Sequence, residues 1–437
     1  MNILNVWKFK GGVHPPTKKM AKDSKIENAV VSKHFYIFLA QNSGNPPKPI
    51  VAAGDEVKTG QKIAEADGFV SVPLHSPVTG KVVEIKKEKH PVTGRPADLM
   101  VIEKTREDEW TKLDPVKPYT DYSADEIKKR VLDAGIVGLG GATFPTHVKL
   151  APSKKVDTII LNGAECEPYL TIDDRMMIEN SEEICKGGVA IAKAVGAQKI
   201  FVGIEENKDK AIEAMKKAGA PLGIEVVVLP AKYPQGSEKH LIFAITKKEV
   251  PSGGLPMDVG VVVDNVSTAR AIYRALQYGE PLIERGLTIT GEGVKTPKNV
   301  IARIGTPISD LLALSSPLEE ELRVIMGGPM TGIAVENIDT GISKGTSGIT
   351  VLTKDIVEKP AETNCIRCYR CVEACPTNLE PYLLYKQFKK KMFNEMKETH
   401  LMDCIECGSC AYVCPANIDH VKAFKTAKLV VRTLGRR

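Results

Sequence analysis

VDTIILNGAECEPYL, residues 156–170, opens on a short apolar run, TIIL, and closes on Asn162, Glu165 and Glu167. An apolar run of strand length ending at a turn signal reads as a strand buried on both faces, the kind found inside parallel sheets. In open α/β sheets ligands bind beyond the carboxyl ends of the strands. The three polar residues are therefore placed where a ligand would sit.

Working outward, GVVVDNVSTARAIYRAL (260–276) repeats the design, an apolar strand releasing Asp264, Asn265 and Thr268 at a helix start. Between the two lie the strand IFVGIE, the amphipathic helix KDKAIEAMKKAG, and the strand IEVVVLP followed by KYPQGSEKHLI. Strand and helix alternate as in a doubly wound sheet, so polar groups from three strand ends converge on one crevice. Upstream, Ser123 with Glu126 makes a capping box for ADEIKKRVLDA, and Gly135 is placed to end that helix. GIVGLGGATFPTHVKL follows. Gly138, Gly140 and Gly141 remove side chains that would keep a ligand off the backbone, and a helix start behind such a loop offers free N–H groups to an anion. Glycines at this spacing also serve as plain tight turns, so they do not by themselves choose between phosphate or flavin binding and a turn.

At 437 residues the chain is expected to hold two to four domains. It is 43% hydrophobic and 26% charged, and has no apolar run of the length needed to span a bilayer. Its net charge of +6 is mild, and much of it sits in KQFKKKMF and KAFKTAKLVVRTLGRR. Those runs suit an anionic membrane surface or an acidic partner such as a ferredoxin, or equally the solvated faces of two closing helices. No nucleic-acid partner is expected.

Residues 1–110 read as a separate β-rich module. IVAAGDEVKTGQKIAEADGFVSVPLHSPVTGKVVEI alternates short strands with Gly-Asp and Gly-Lys turns, as a small sandwich or barrel does. It resembles the biotinyl and lipoyl carrier fold, but Gly68 stands where that fold presents its modifiable lysine, so a scaffold or docking role is expected. His75 and His90 are expected in exposed loops.

CIRCYRCVEACP (365–376) and CIECGSCAYVCP (404–415) each carry four cysteines at spacings of three, three and four, then proline. This ruler lets one loop hold three corners of an iron–sulfur cube while the fourth cysteine serves the neighbouring cluster. Cys365, Cys368, Cys371 and Cys414 are therefore assigned to one [4Fe-4S] cluster, and Cys404, Cys407, Cys410 and Cys375 to a second. Disulfides suit this chain poorly, because MNILNVWKFKGGVHPP has no signal-peptide character. Structural zinc sites need neither a third cysteine at this spacing nor the proline. Cys166 and Cys185 lie outside any such spacing and are expected to be buried small hydrophobes.

GLGGATFPTHVKL resembles the flavin loop of the NADH-oxidising flavoprotein subunit of respiratory complex I, and NGAECEP and DNVST resemble that family's two other flavin segments, in order. With GGVHPPTKKM, the carrier-like module and two cysteine runs in one chain, the sequence resembles the RnfC family of Rnf electron-transport complexes over nearly its whole length. The resemblance implies an α/β multidomain chain. It comprises a barrel-sandwich hybrid (1–110), a Rossmann-like FMN/NADH-binding domain (120–280), an SLBB-like β-grasp module (281–350), a two-cluster ferredoxin-like domain (355–420) and a basic tail (421–437). It implies FMN lined by Gly138, Gly140, Gly141 and Lys149, with Asn162 and Glu165 on its ring and Asp264 and Asn265 at its phosphate end. Phe144, Glu167 and Glu238 would meet NAD(H). Leu139, Thr143, Ala164 and Ser237 depart from the complex I pattern.

The activity implied is that of an ion-translocating ferredoxin:NAD oxidoreductase. This chain would be peripheral on the cytoplasmic face of the cell membrane and held by other Rnf subunits, integral ones included, with ferredoxin reached through the complex. Two alternatives share the motifs: a cobalamin reductase of the same architecture, and a flavin-free electron-transfer scaffold.

Overall fold

A computed structural model describes residues 6–319, 322–358 and 360–434. Its centre is a parallel four-stranded sheet in the order Ile224–Leu229, Lys199–Glu205, Thr158–Gly163, Val261–Asn265. The chain starts this sheet at Thr158–Gly163, builds two strands to one side, then returns to place Val261–Asn265 on the other. That reversal opens a crevice between Thr158–Gly163 and Val261–Asn265. Ile159 and Leu161 pack against the helices Ser181–Val195 and Val266–Gln277, while Ile160 packs against Leu241 and Ile242 of the helix Glu238–Thr246. Burial on both faces is why TIIL is apolar without alternation.

The helix Ala124–Asp133 carries the expected capping box, in which Ser123 and Glu126 satisfy each other's backbone N–H groups. Gly135 follows it with φ +67°.

The N-terminal module is built on two antiparallel sheets. One sheet runs His34–Phe38, Pro96–Lys104, Gly80–Lys89, Glu56–Val57; a smaller one runs Lys48–Pro49, Lys62–Glu65, Leu74–His75. Phe35, Ile37, Ile63, Val82, Met100 and Ile102 fill the space between them. The expectation of exposed histidines is overturned. His75 lies on a paired strand under the α/β domain, and burial pushes its pKa down to about 3, so the ring is neutral. His90 is buried as well, its Nε2 3.1 Å from the Ala40 carbonyl and its Nδ1 accepting from Val92 N–H at 3.1 Å. Both sit in turn-rich sequence, but packing from outside the module covers one and turn hydrogen bonds sequester the other.

A third sheet, six-stranded and mixed, runs Ile26–Asn28, Lys298–Arg303, Glu284–Thr290, Gly348–Thr353, Leu322–Met326, Ile333–Ala334, with the helix Ile308–Ala313 against it. Its first strand comes from the N-terminal hundred residues, so that stretch contributes to three sheets. In the cysteine-rich region the basic segment is a helix, His420–Leu434, rather than a tail; residues 435–437 lie outside those described. Ala423, Phe424, Ala427 and Val431 bury one face of it against Leu384, Met396 and Leu401, and the lysines lie mostly on the other. Phe→Ala in a packed core costs about 3–5 kcal/mol. Phe424→Ala is therefore expected to destabilise the cysteine-rich unit by that amount and lower its bound iron, measured by urea unfolding followed at the cluster absorbance.

Candidate functional site

Parallel pairing sets Asp264 opposite Leu161 and Asn265 opposite Asn162, so both strands release their polar residues at one level. The glycine loop closes over this point. Gly138 N–H donates to the Phe144 carbonyl (2.9 Å), and Leu139 N–H to Thr268 Oγ1 at the helix start (2.9 Å). Gly140 faces the Asn265 side chain, and at Gly141, φ +109°, a Cβ would meet no atom within 4 Å. The N-terminal barrel holds the loop from outside: Ser43 Oγ donates to the Ala142 carbonyl (2.8 Å), and Ser43 N–H to that of Thr143 (3.0 Å). Phe69, beside Gly68 in the carrier-like turn, packs edge-on against His147, whose Nε2 lies 3.0 Å from the Phe69 carbonyl.

Beneath the loop lies a charged triad. The short helix Thr146–Lys149 delivers Lys149, whose Nζ donates to Glu238 Oε1 (3.1 Å) and to the Val263 carbonyl (2.9 Å), with Asp264 Oδ1 at 4.0 Å. Burial alone would lower Lys149, but Glu238 and Asp264 outweigh it and hold its pKa above the usual range. The Asp264 carboxylate is wholly buried, and neither oxygen has a hydrogen-bond partner among the described residues. Burial raises its pKa to about 6 against the pull of Lys149.

Asn162 braces the neighbouring loop, its Nδ2 donating to the Gly236 carbonyl at 2.8 Å. Glu165 turns away. Its carboxylate accepts from Asp173 N–H (2.7 Å) at the start of the helix Ile172–Glu179, and burial, partly offset by Lys19, raises its pKa to about 7. The Glu167 carboxylate accepts from the N–H groups of Met330 (2.7 Å) and Thr331 (3.1 Å) in the six-stranded unit. The structure thus brings together Gly138, Gly140, Gly141, Phe144, Lys149, Asn162, Glu238, Asp264 and Asn265, and sets the side chains of Glu165 and Glu167 to other tasks.

Cys365, Cys368, Cys371 and Cys414 line one cavity of about 330 Å³, with Tyr369, Tyr382 and Ile418. Cys404, Cys407 and Cys410 form a second group with Cys375. Burial raises the pKa of all three, Cys404 to about 11, and the charge of Cys375 adds to it in each. Among the described residues no three His, Cys, Asp or Glu side chains close on a single metal ion. Of the two unspaced cysteines, Cys185 is fully buried, whereas Cys166 accepts from Gly236 N–H (3.3 Å) and packs beside Tyr233, Ala374 and Cys407.

Comparison with known proteins matches three domain families: the RnfC barrel sandwich hybrid domain at residues 7–107, the Nuo51 FMN-binding domain at 131–274 and a 4Fe-4S dicluster domain at 364–418. The C subunit of the proton-translocating ferredoxin:NAD(+) oxidoreductase complex of Clostridium ljungdahlii is 49% identical over 90% of this chain and 87% of its own length. The chain belongs to the RnfC family. Its counterpart in the Na(+)-translocating complex of Acetobacterium woodii is 45% identical over 90% of each chain, and that of the ion-translocating complex of Rhodobacter capsulatus 42% over 87% of this chain and 75% of its own. An NAD+-reducing [NiFe]-hydrogenase shares the fold, with TM-score 0.52 and 18% identity over 73% of this chain; the match spans 63% of the hydrogenase chain, less than two thirds.

As an RnfC-family chain, it carries an FMN-binding domain and a dicluster domain, and its residues fit both groups. Among the described residues the buried Asp264 carboxyl has no hydrogen-bond partner, so it offers an acceptor to a donor-bearing ligand in the crevice. The four-cysteine cavity fits a cube. Sequence reasoning missed Asp173, which accepts from Asn265 Nδ2 (2.7 Å) and Ser267 Oγ (2.8 Å), and Lys19, whose Nζ donates to the carbonyls of Glu165 (2.8 Å), Glu167 (2.9 Å) and Leu170 (2.6 Å). Lys19 stabilises the strained backbone of Glu165, φ +37°. Its only signal was its place in GGVHPPTKKM.

The raised pKa of Asp264 has a consequence for stability. The folded chain keeps a proton that the unfolded chain releases from about 3.8 upward, so stability falls as pH rises through about 6. Asp264→Asn removes that penalty. It is expected to stabilise the chain by up to about 3 kcal/mol at neutral pH, with the gain vanishing at low pH, as followed by urea unfolding across the range.

Proposed function

We propose that the crevice holds FMN and exchanges hydride with NAD(H), and that single electrons pass between this crevice and the two [4Fe-4S] clusters. One observation carries this reading: a single loop touches both sites. Gly236 and Glu238 bond Asn162 and Lys149 in the crevice, while Tyr233 Oη donates to the Cys407 carbonyl (2.7 Å) and His240 Nε2 to that of Pro376 (2.9 Å). The cluster of Cys404, Cys407, Cys410 and Cys375 is therefore the nearer one. That of Cys365, Cys368, Cys371 and Cys414 faces outward, since Cys365 and Cys368 are exposed.

FMN, when bound, supplies the exchange between two-electron hydride chemistry and one-electron transfer. The chain's own groups bind and orient. Lys149 and Asn265 hold the phosphate end, with Lys149 offsetting Asp264, and Asn162 fixes the crevice wall. Phe144 and Glu238 are left to meet the dinucleotide. No residue is needed as a general base, because a hydride carries its own electron pair.

The outward cluster is flanked by Arg367, Arg370 and the exposed Ile366 and Tyr369. That mixture suits an acidic electron-carrying partner, a ferredoxin or another ferredoxin-like protein of the complex. Among the described residues no helix is long and apolar enough to cross a membrane. Attachment to the cytoplasmic face through integral subunits accords with the ion-translocating complexes named for the relatives.

Two tests follow. A charge-assisted contact contributes about 1.5–3 kcal/mol, so Lys149→Ala is expected to weaken FMN binding about ten- to a hundredfold by fluorescence titration; full retention would remove the crevice as the flavin site. Because the cysteine runs exchange their fourth ligands, Cys375→Ser is expected to disturb the electron-paramagnetic-resonance signal of the inner cluster and Cys414→Ser that of the outer. The reverse pattern would refute the crossing.

A further inference from the structure

GGVHPP near the N-terminus is left without a task by the flavin and cluster assignments, yet it lies where they meet. Gly12 N–H donates to the Ala374 carbonyl (2.9 Å), one residue before the ligand Cys375. Val13 and Tyr233 exchange both backbone hydrogen bonds, at 2.8 and 3.0 Å. Phe9 packs edge-on against His240 at 4.6 Å between ring centres, and its carbonyl accepts from Lys232 Nζ at 3.1 Å. The segment is thus bonded on one side to the loop that walls the crevice and on the other to the loop that carries Cys375.

Only glycine fits there. Gly11 and Gly12 have φ of +67° and +78°. A Cβ on Gly11 would fall onto the Cys375 carbonyl, and one on Gly12 would stand 2.6 Å from the Tyr233 carbonyl. Ala374 is gripped by Gly12, Pro376 by His240 and Cys407 by Tyr233, so backbone at or beside ligands from both runs is pinned to the crevice wall.

We propose that the Gly11–Gly12–Val13 strap and Tyr233 are positioning residues that set the separation between the flavin crevice and the inner cluster, and so the rate of electron transfer across it. Domains joined by small interfaces move relative to one another by default, and a strap bonded to both removes that freedom. Tyr233 has a second effect. A hydrogen bond to the carbonyl of a cluster ligand withdraws charge from the site, one of the levers that set cluster potential. The inference rests on the functional reading above.

The experiment uses the full chain with FMN and both clusters loaded, comparing Gly11→Ala, Tyr233→Phe and Gly94→Ala. Gly94 is the control: its φ of +66° matches Gly11, but a Cβ there meets nothing within 4 Å. After anaerobic mixing with NADH, flavin bleaching is expected at the wild-type rate in all three. Cluster bleaching is expected to slow severalfold in Gly11→Ala, since a Cβ falling onto the Cys375 carbonyl forces that backbone away from the crevice wall. Tyr233→Phe is expected to slow it in the same sense and shift the potential of one cluster alone. Amide hydrogen exchange at Gly12 and Val13 is expected to quicken in Gly11→Ala and not in Gly94→Ala.

The proposal falls if fully loaded Gly11→Ala and Tyr233→Phe reduce their clusters at the wild-type rate, or if Gly94→Ala slows them equally. Should Gly11→Ala lose iron, Tyr233→Phe decides alone: unchanged potentials and rate overturn it. If wild-type flavin is not bleached by NADH, the functional reading fails instead. Photochemical reduction of the flavin, with the exchange measurement, then still tests the strap.

Discussion

Parallel pairing of Thr158–Gly163 with Val261–Asn265 is the constraint on which the rest depends. These strands are about a hundred residues apart in sequence, and they become neighbours only because the sheet reverses direction at Thr158–Gly163. Their register places Asn162 beside Asn265, which caps the start of Val266–Gln277 at the same level by accepting from Ser267 N–H. The glycine loop, Lys149 and the Tyr233–Glu238 loop all assemble around that point. A one-step slip would move Asp264 and Asn265 each to the other face of the sheet and disperse the site.

The three remaining units hold this crevice in different ways. The barrel, built on a carrier-like pattern but presenting Gly68 and Phe69, spends its turn on clasping the helix Thr146–Lys149. The six-stranded unit takes up Glu167 with its Met330–Thr331 turn. The cysteine-rich unit is joined through Tyr233 and His240. These contacts are mainly side chain to backbone carbonyl or N–H, which specify orientation more sharply than apolar packing can.

Electrostatics in the crevice are unbalanced. Lys149 is shared among Glu238, Asp264 and a carbonyl, and Asp264 keeps a buried carboxyl with no hydrogen bond among the described residues. Such a group costs stability, and proteins retain that cost mainly at functional sites. Glu165, at positive φ after the neighbouring strand, is also buried and raised in pKa, but its carboxylate is hydrogen-bonded to the start of the helix Ile172–Glu179.

What the sequence by itself determined is everything that depends on local spacing: the strand TIIL, the capping box at Ser123, the glycine loop, and the two cysteine runs. Strand periodicity, capping and ligand spacing act within a few residues, so they are written in order along the chain. Tertiary structure alone decided the partners. That His75 is buried, that Ile26–Asn28 joins a sheet built some 270 residues later, and that Glu167 serves another unit are long-range choices with no local signal. The basic end of the chain, for which a closing helix is one open reading of the sequence, is the helix His420–Leu434, and only the fold decided that one face of it enters a core. Its lysines read as charge, while the apolar stripe of Ala423, Phe424, Ala427 and Val431 gains its meaning only from the surface it covers.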